Sequence, residues 1–531
     1  MRALPSDLAV GAAFLRRLPS FLHGKLDKTR SEAILADRLE NREARFLSLA
    51  RRGIYENPSS PYLKLLENAG CAFGDLEELV RREGLEGALA VLLDKGVHLK
   101  VGEFKGRQPV KRPGLTMEIG PESVRNPRTE FHIPVKSSGS RSSGTPVLID
   151  LAYVAECAVN CHLMFLARGG EAWVKADWEV PGGGALFRLL KFSRFGKRPE
   201  RWFSQLDPSA PGLHPRYAWS AKALRLGSLL AGAPLPKLEY VPLDDPMPIV
   251  RWMAGRLGKG KTPCLFTFPS SAVRVARAAL DAGVALDGAA FLISGEPITE
   301  ARIGIIRRAG GRPLPRYGTI ECGPIGYGCL DPAAPDDLHL QSDLHAVIQA
   351  GDCGEREGLP REALFLTTLS ANAPFVFLNV SMGDMARLDR RDCGCPLGGL
   401  GWHTHVSGIR SFEKLTGSGM TFLDTDVVRV LEEVLPAAFG GAATDYQLLE
   451  EEGPEGEPVL KLLAHPGLGA LDEARLREVF FANVGRGSGV EKIMELTWKQ
   501  AGLFRIERRP PVSTASGKIL HLHVKRGTGR S

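Results

Sequence analysis

No run of about 18 uncharged apolar residues occurs in this 531-residue sequence, so nothing in it reads as a bilayer-crossing helix. The longest apolar candidate, LAYVAECAVNCHLMFLA from Leu151, contains Glu156 and His162 and reads as a buried helix. Asp7 interrupts the apolar N-terminal stretch and no small-residue cleavage site follows it, so no signal peptide is read. Charge of one sign is also scarce. The 68 Lys and Arg against 61 Asp and Glu leave a net charge of +7, and the basic residues are dispersed apart from short runs such as RFGKRPER. That excludes an obvious nucleic-acid groove and reads as a solvated face. Nine cysteines, an odd and scattered number, do not make a disulfide framework and suit a reducing compartment. There is no internal repeat and no low-complexity segment, and the Ser/Gly-rich stretch SSGSRSSG is not a Walker loop, because no GK[ST] follows it. The expectation is a soluble, cytoplasmic protein with neither nucleic acid nor membrane as partner.

What is present is ordinary globular composition, 44% hydrophobic and 24% charged, over a length that allows up to about three domains. The first part, about residues 1–125, repeats apolar positions at helical spacing, as in SEAILADRLENREARFLSLARRGIY and DLEELVRREGLEGALAVLLDKGV. From about Phe131 short β-rich runs alternate with helices: TPCLFTF before SAVRVARAALDAG, then GAAFLISG before ITEARIGIIRRAGG. This alternation predicts a largely parallel sheet covered by helices. ALFLTTLS and PFVFLNVS read as two strands of a meander. The fold class expected is α/β: a large N-terminal domain, 1–408, with mixed sheets covered by helices, and a small C-terminal α+β domain, 409–531. In the small domain DYQLLE, PVLKLLAH and VEKIMELTW read as three strands and ALDEARLREVFFANVG as a helix. EEEGPEGEP reads as an acidic hairpin tip and HVKRGTGRS as a frayed basic tail.

Four stretches carry chemistry. VKSSGSRSSGTPVLID, Val135 to Asp150, crowds hydroxyls and glycines after a strand; such a loop either wraps phosphate oxygens with its N–H groups or is simply a surface loop. RYGTIECG puts Tyr317, Gly318 and Glu321 after a strand–helix unit, where an open α/β sheet holds its ligand. A ring there can stack on a base, and a carboxylate can hold magnesium. SMGDMARLD reads as a tight turn presenting Asp384 to a ribose diol, or merely capped by it. PPVSTASGKIL brings Lys518 near the end of the chain, where a lysine can meet charge developing on phosphorus.

SSGSRSSGTP, ISGEP, YGTIE, Gly383–Asp384, Arg410 and STASGK occur in the order seen in the adenylate-forming acyl- and aryl-CoA ligase superfamily, and the whole chain resembles it. EFKGRQPVKR and CGCPLGG are similar to the branch of phenylacetate-CoA ligase, acyl-protein synthetase and phenazine-biosynthesis adenylating proteins. The resemblance implies that Ser137, Ser138, Gly139, Ser140, Ser143 and Gly144 hold ATP phosphates and that Ser294, Gly295, Glu296 and Pro297 line the adenine side. It also implies that Tyr317, with Gly318 beside it, stacks on the base, that Glu321 binds Mg2+, that Asp384 takes the ribose hydroxyls and that Arg410 reaches ribose or phosphate. Lys518 would bridge carboxylate and α-phosphate, on a mobile C-terminal domain with its hinge in IRSFEK. The activity implied is ATP-dependent conversion of a carboxylic acid to an acyl-adenylate, with transfer to a thiol acceptor, coenzyme A or a carrier protein; protein and amine acceptors use the same architecture. This sequence departs from the pattern at Arg141 and Ser142, which look inserted, at Val147 in place of lysine, and at Ile320 in place of Thr or Ser. The Arg410–Gly417 segment is also shorter, and one extra residue precedes Lys518. These departures motivate the competing expectation of a regulatory nucleotide-binding protein on a degenerate scaffold. Leu265 to Ser271 should border the acid, Phe266 and Phe268 favouring an aromatic or medium apolar one.

Cys322, Cys329, Cys353, Cys393, Cys395 and His339 lie in one third of the chain. Cys393 and Cys395 as a CGC pair, with Cys329 and His339, are candidate ligands of a tetrahedral zinc, Zn2+; ordinary free thiols are the competing reading, because CGC is not a CxxC pair. His403 and His405 read as surface or packing residues, and the PGGGA stretch, Pro181 to Ala185, as a turn.

Overall fold

The computed structural model describes residues 7–130, 132–136, 145–207, 216–296, 298, 300–411, 414–417, 420–423, 430–441, 445–452, 458–484, 504–512 and 522–525. Helices dominate as far as Phe104, as the apolar spacing predicts. Among the described residues no helix is long and apolar enough to cross a membrane. The apolar run from Leu151 forms helix Leu151–Leu166, buried almost along its whole length.

The centre is one sheet of twelve strands: β1 (Val174–Glu179), β2 (Arg201–Ser204), β3 (Leu238–Tyr240), β4 (Pro263–Thr267), β5 (Ala290–Ile293), β6 (Arg312–Thr319), β7 (Gly323–Gly328), β8 (Leu338–Leu340), β9 (His345–Gln349), β10 (Ala363–Thr368), β11 (Val380–Arg390) and β12 (Thr404–Ser411). Their order is β9-β10-β11-β12-β8-β7-β6-β5-β4-β1-β2-β3. From β3 to β6 every neighbour is parallel, and from β6 to β9 every neighbour is antiparallel. In the parallel half β4 and β5 are the buried apolar strands that the alternation predicts, each followed by a helix, Pro269–Asp281 and Glu300–Arg308. Strand β6 is the seam between the halves.

The meander differs from expectation in its second strand. Phe375 to Asn379 makes no ladder, and β11 begins only at Val380. The Phe375 and Phe377 rings stack 5.3 Å apart and both meet Phe104 edge-on, so this stretch is fixed by aromatic packing. Asn379 then takes a left-handed conformation (φ 50°), which breaks the pleat, while its amide donates to Leu89 O at 2.8 Å.

The C-terminal sheet has four described strands where three were expected: β13 (Tyr446–Glu452), β14 (Pro458–Ala464), β15 (Phe504–Arg508) and β16 (Leu522–Lys525), in the order β15-β14-β13-β16. The start of the supposed basic tail is thus a strand parallel to β13, because Leu522 packs on the apolar core beneath it. VEKIMELTW lies outside the described residues. The hairpin β13–β14 and helix Glu473–Asn483 stand where the sequence predicts. Their core, including Tyr446, Leu448, Leu462, Leu476 and Phe480, also takes in Leu206 from the large sheet's side.

Candidate active site

Parallel strands bring their C-terminal ends together at one edge of the sheet, and ligands of open α/β sheets bind there. In this protein that edge lies beside the seam strand. Ser294 follows β5 directly and accepts a hydrogen bond from Arg316 Nη1 on β6 at 3.1 Å. Tyr317, next on β6, donates its hydroxyl to Asp384 Oδ2 on β11 at 2.8 Å, and burial raises the phenol well above its ordinary range, with the Asp384 charge adding to the effect. Asp384 is therefore not in a tight turn: it lies within β11, where Gly383 has φ 85° and the pairing with β12 slips just beyond, between Met385 and Arg387. A positive-φ glycine and a register slip re-aim a strand residue much as a turn would.

Between β6 and β7 the chain reverses at Ile320–Cys322. Gly318 is required here, since a Cβ would stand 2.4 Å from Gly323 O across the hairpin. Thr319 Oγ1 accepts from the Cys322 amide at 3.0 Å, and the Cys322 carbonyl accepts from the buried Tyr153 hydroxyl. This turn presents Glu321, a residue only 5% exposed, a burial that needs a counter-charge for its carboxylate. Lys105 supplies it: its ammonium lies 2.5 Å from Glu321 Oε1 and donates to Thr145 Oγ1 at 2.8 Å. Lys105 stands in EFKGRQPVKR, but nothing in its sequence surroundings gave it a role; a cation arriving from the helical part is legible only once the topology is known. Val147, where the resemblance expects lysine, is fully buried, and Ile320 packs against the core.

The remaining assignments divide. Glu296 pairs with Arg302 at 3.4 Å, both side chains buried. Gly295 has φ 92°, with the Phe268 ring 3.2 Å from where a Cβ would stand. Arg410 is one register step from Asp384 on the neighbouring strand, but its guanidinium is directed at Asp336 Oδ2, 3.3 Å away. Ser137, Ser138, Gly139, Ser140, Ser143, Gly144, Pro297 and Lys518 lie outside the described residues.

Sequence reasoning missed a second charged group at this edge. All six residues of β1 are buried although the strand reads VKADWE, and polar residues inside a fully buried parallel strand were the signal. Arg188 lies 3.0 Å from Asp177 Oδ1 and also contacts Glu179. Burial raises the Asp177 carboxyl while Arg188 opposes the shift. The Lys191 ammonium has no hydrogen-bond partner among the described residues and is pushed down to about 8 by burial, the nearby Cys161 opposing. Phe266 is itself buried beneath Arg188, whose guanidinium sits 4.6 Å from the ring centre.

Cysteine behaves as two groups. Cys322 serves the turn, and Cys353 lies 3.7 Å from Leu93 O. Cys329, Cys393, Cys395 and His339 are brought together: Cys395 Sγ is 3.9 Å from Cys329 Sγ and 3.1 Å from His339 Nε2, and Cys393 Sγ is 3.5 Å from the same nitrogen. His405 is buried, packs its ring 4.2 Å from that of His339, and sits 2.7 Å from Asp337 Oδ1.

No family model and no curated protein matches the chain. Among solved structures it is similar to 2-hydroxyisobutyryl-CoA ligase in complex with 2-HIB-AMP and CoA in the thioesterification state, with a TM-score of 0.58 at 15% identity over 92% of this chain and 90% of that one. It is also similar to o-succinylbenzoate CoA synthetase from Bacillus subtilis, with a TM-score of 0.40 at 13% identity over 74% of this chain and 68% of that one. Together with the seam geometry, the first of these likenesses gives the chain the fold of an acyl-CoA ligase.

Proposed function

We propose that the protein uses ATP to activate a carboxylic acid and passes the acyl group to a thiol. A carboxylate oxygen attacks the α-phosphorus and pyrophosphate leaves; the thiolate of coenzyme A or a carrier protein then attacks the acyl carbon and AMP leaves. The observation that carries this reading is the group of side chains at the seam edge, where Ser294, the Tyr317–Asp384 pair and the Lys105–Glu321 pair stand in the fold of a CoA ligase. Asp384 and Tyr317 would take ribose and base. Glu321 would hold magnesium, which offsets charge on the phosphates when bound, and without it Lys105 stands as the carboxylate's counter-charge. Lys518, on the C-terminal unit 409–531, would meet charge developing at the α-phosphate, and movement about the segment after Arg410 would exchange adenylation for transfer. The closer kinship with phenylacetate-CoA ligase rests on EFKGRQPVKR and CGCPLGG. The charged residues Asp177, Glu179, Arg188 and Lys191 favour an acid with a polar substituent over a wholly apolar one. Mass spectrometry of quenched single-turnover mixtures tests the reading: an acyl-adenylate should accumulate with ATP and acid and disappear when coenzyme A is added.

The second reading, nucleotide binding without turnover, is favoured by one observation: the carboxylate assigned to magnesium is already paired with Lys105. It predicts ATP binding with no adenylate formed.

A further inference from the structure

The four groups Cys329, Cys393, Cys395 and His339 come from three separate pieces of chain. Cys329 directly follows β7, His339 is the middle residue of β8, and the two other cysteines lie in the connection from β11 to β12. Gly394 between them has φ 69°, a left-handed turn that lets both thiols face the same way. Their separations have a chemical meaning. A 3.9 Å gap between Cys329 and Cys395 is nearly twice the length of a disulfide, about 2.05 Å. In a zinc tetrahedron with bonds of about 2.3 Å to sulfur and about 2.0 Å to nitrogen, ligand edges are about 3.8 Å for two sulfurs and about 3.5 Å for sulfur and nitrogen. The 3.9, 3.1 and 3.5 Å separations lie close to those edges.

The surroundings fit as well. His339 Nδ1 is 2.6 Å from Trp402 O, so that nitrogen donates and Nε2 is left with its lone pair toward the sulfurs. The Asp331 amide points at Cys329 Sγ at 3.3 Å, and those of Leu330, Leu397 and Gly398 point at Cys395. Arg168 places a cation beside Cys329 and Cys395, offsetting the surplus negative charge of three thiolates around a divalent ion. His405 lies within ligand range of Cys329, Cys393 and His339, all within 4.8 Å of one another, and competes with Cys395 for the fourth position.

We propose that Cys329, Cys393, Cys395 and His339 bind one zinc ion that clamps the β7–β8 turn to the β11–β12 connection. The site stands independently of the proposed adenylation chemistry.

Metal analysis of the full chain, expressed with zinc and desalted, should find about one zinc per chain. Cobalt(II) added to chelator-treated protein should give thiolate charge-transfer and tetrahedral d–d absorption. Cys393→Ser and Cys395→Ser should lose the zinc, whereas His405→Ala should keep it. Wild-type protein that neither carries zinc nor gives those cobalt bands overturns the site, a result that does not depend on any variant folding. Zinc retained by Cys395→Ser but lost by His405→Ala overturns the ligand assignment. Acyl-adenylate formation has no bearing on either outcome.

Discussion

The same strands carry two polar clusters at their two ends, built from opposite chemistry. Strand β7 starts beside the Glu321 turn and ends just before Cys329, about 20 Å away for six residues of strand. Strand β11 runs from near Asp384 to the CGC connection, and β12 returns from beside His405 to Arg410. At the first end the groups are charged oxygen and nitrogen pairs, Lys105–Glu321 and Tyr317–Asp384, which can exchange partners when a polyanionic ligand arrives. At the second end they are soft sulfur and imidazole ligands, suited to a metal that stays. On the proposed readings one sheet divides labour: exchangeable contacts need fixed strands beneath them, and a zinc ion at the far end would tie the end of β7 and strand β8 to the β11–β12 connection.

The comparison can be broken most severely at the first end. Lys518→Ala should lower pyrophosphate exchange by about 100-fold or more while leaving ATP affinity nearly unchanged, because a charge engaged in the transition state acts on turnover. Near-normal exchange would remove Lys518 from the site. Lys105→Met should leave Glu321 as a buried carboxylate without this cation, destabilising the fold by about 3 kcal/mol, and adding Glu321→Gln should recover much of that in a double-mutant cycle by chemical denaturation. Additive losses would mean that the two groups are not coupled. Asp384→Ala should weaken ATP binding about tenfold by calorimetry, a contact made in ground and transition states alike. At the second end, Cys395→Ser should lower the melting temperature by several degrees and reduce exchange only indirectly. A loss of exchange as deep as in Lys518→Ala, with the fold intact, would undo the division between the ends.

The smallest effect concerns the contact of the C-terminal unit with the site. Glu450 on β13 is raised to about 7, chiefly by burial, with Arg302 opposing, Glu296 adding and Arg410 opposing. A carboxyl raised in the folded state contributes stability that is full below its ordinary value of 4.5 and fades as pH rises through about 7. Glu450→Gln should therefore flatten the stability profile between about pH 5 and 8, measured by denaturant midpoint. An unchanged profile would assign the dependence elsewhere.

The sequence made the alternating parallel half readable because β4 and β5 are short apolar runs bounded by turns and followed by amphipathic helices. It hid the start of β11, since Phe375 and Phe377 look like strand residues and only their packing on each other and edge-on against Phe104 shows otherwise. It pointed to Tyr317, Glu321 and Asp384 through local motifs, and to four of the cluster's residues through their crowding in one third of the chain. Lys105, Asp177 and Arg188 escaped because their meaning lies in contacts across long stretches of chain, and a lone charged residue carries no periodic signal. His405 escaped for the same reason: its partners Asp337 and His339 come from another strand and its approach.

The central claim, that the seam-edge site adenylates a carboxylic acid, is tested most directly by ATP–pyrophosphate exchange across a panel of acids, polar and apolar, at fixed magnesium. The account predicts exchange that depends on the acid and is strongest for acids with a polar substituent. ATP binding without exchange for any acid would contradict it.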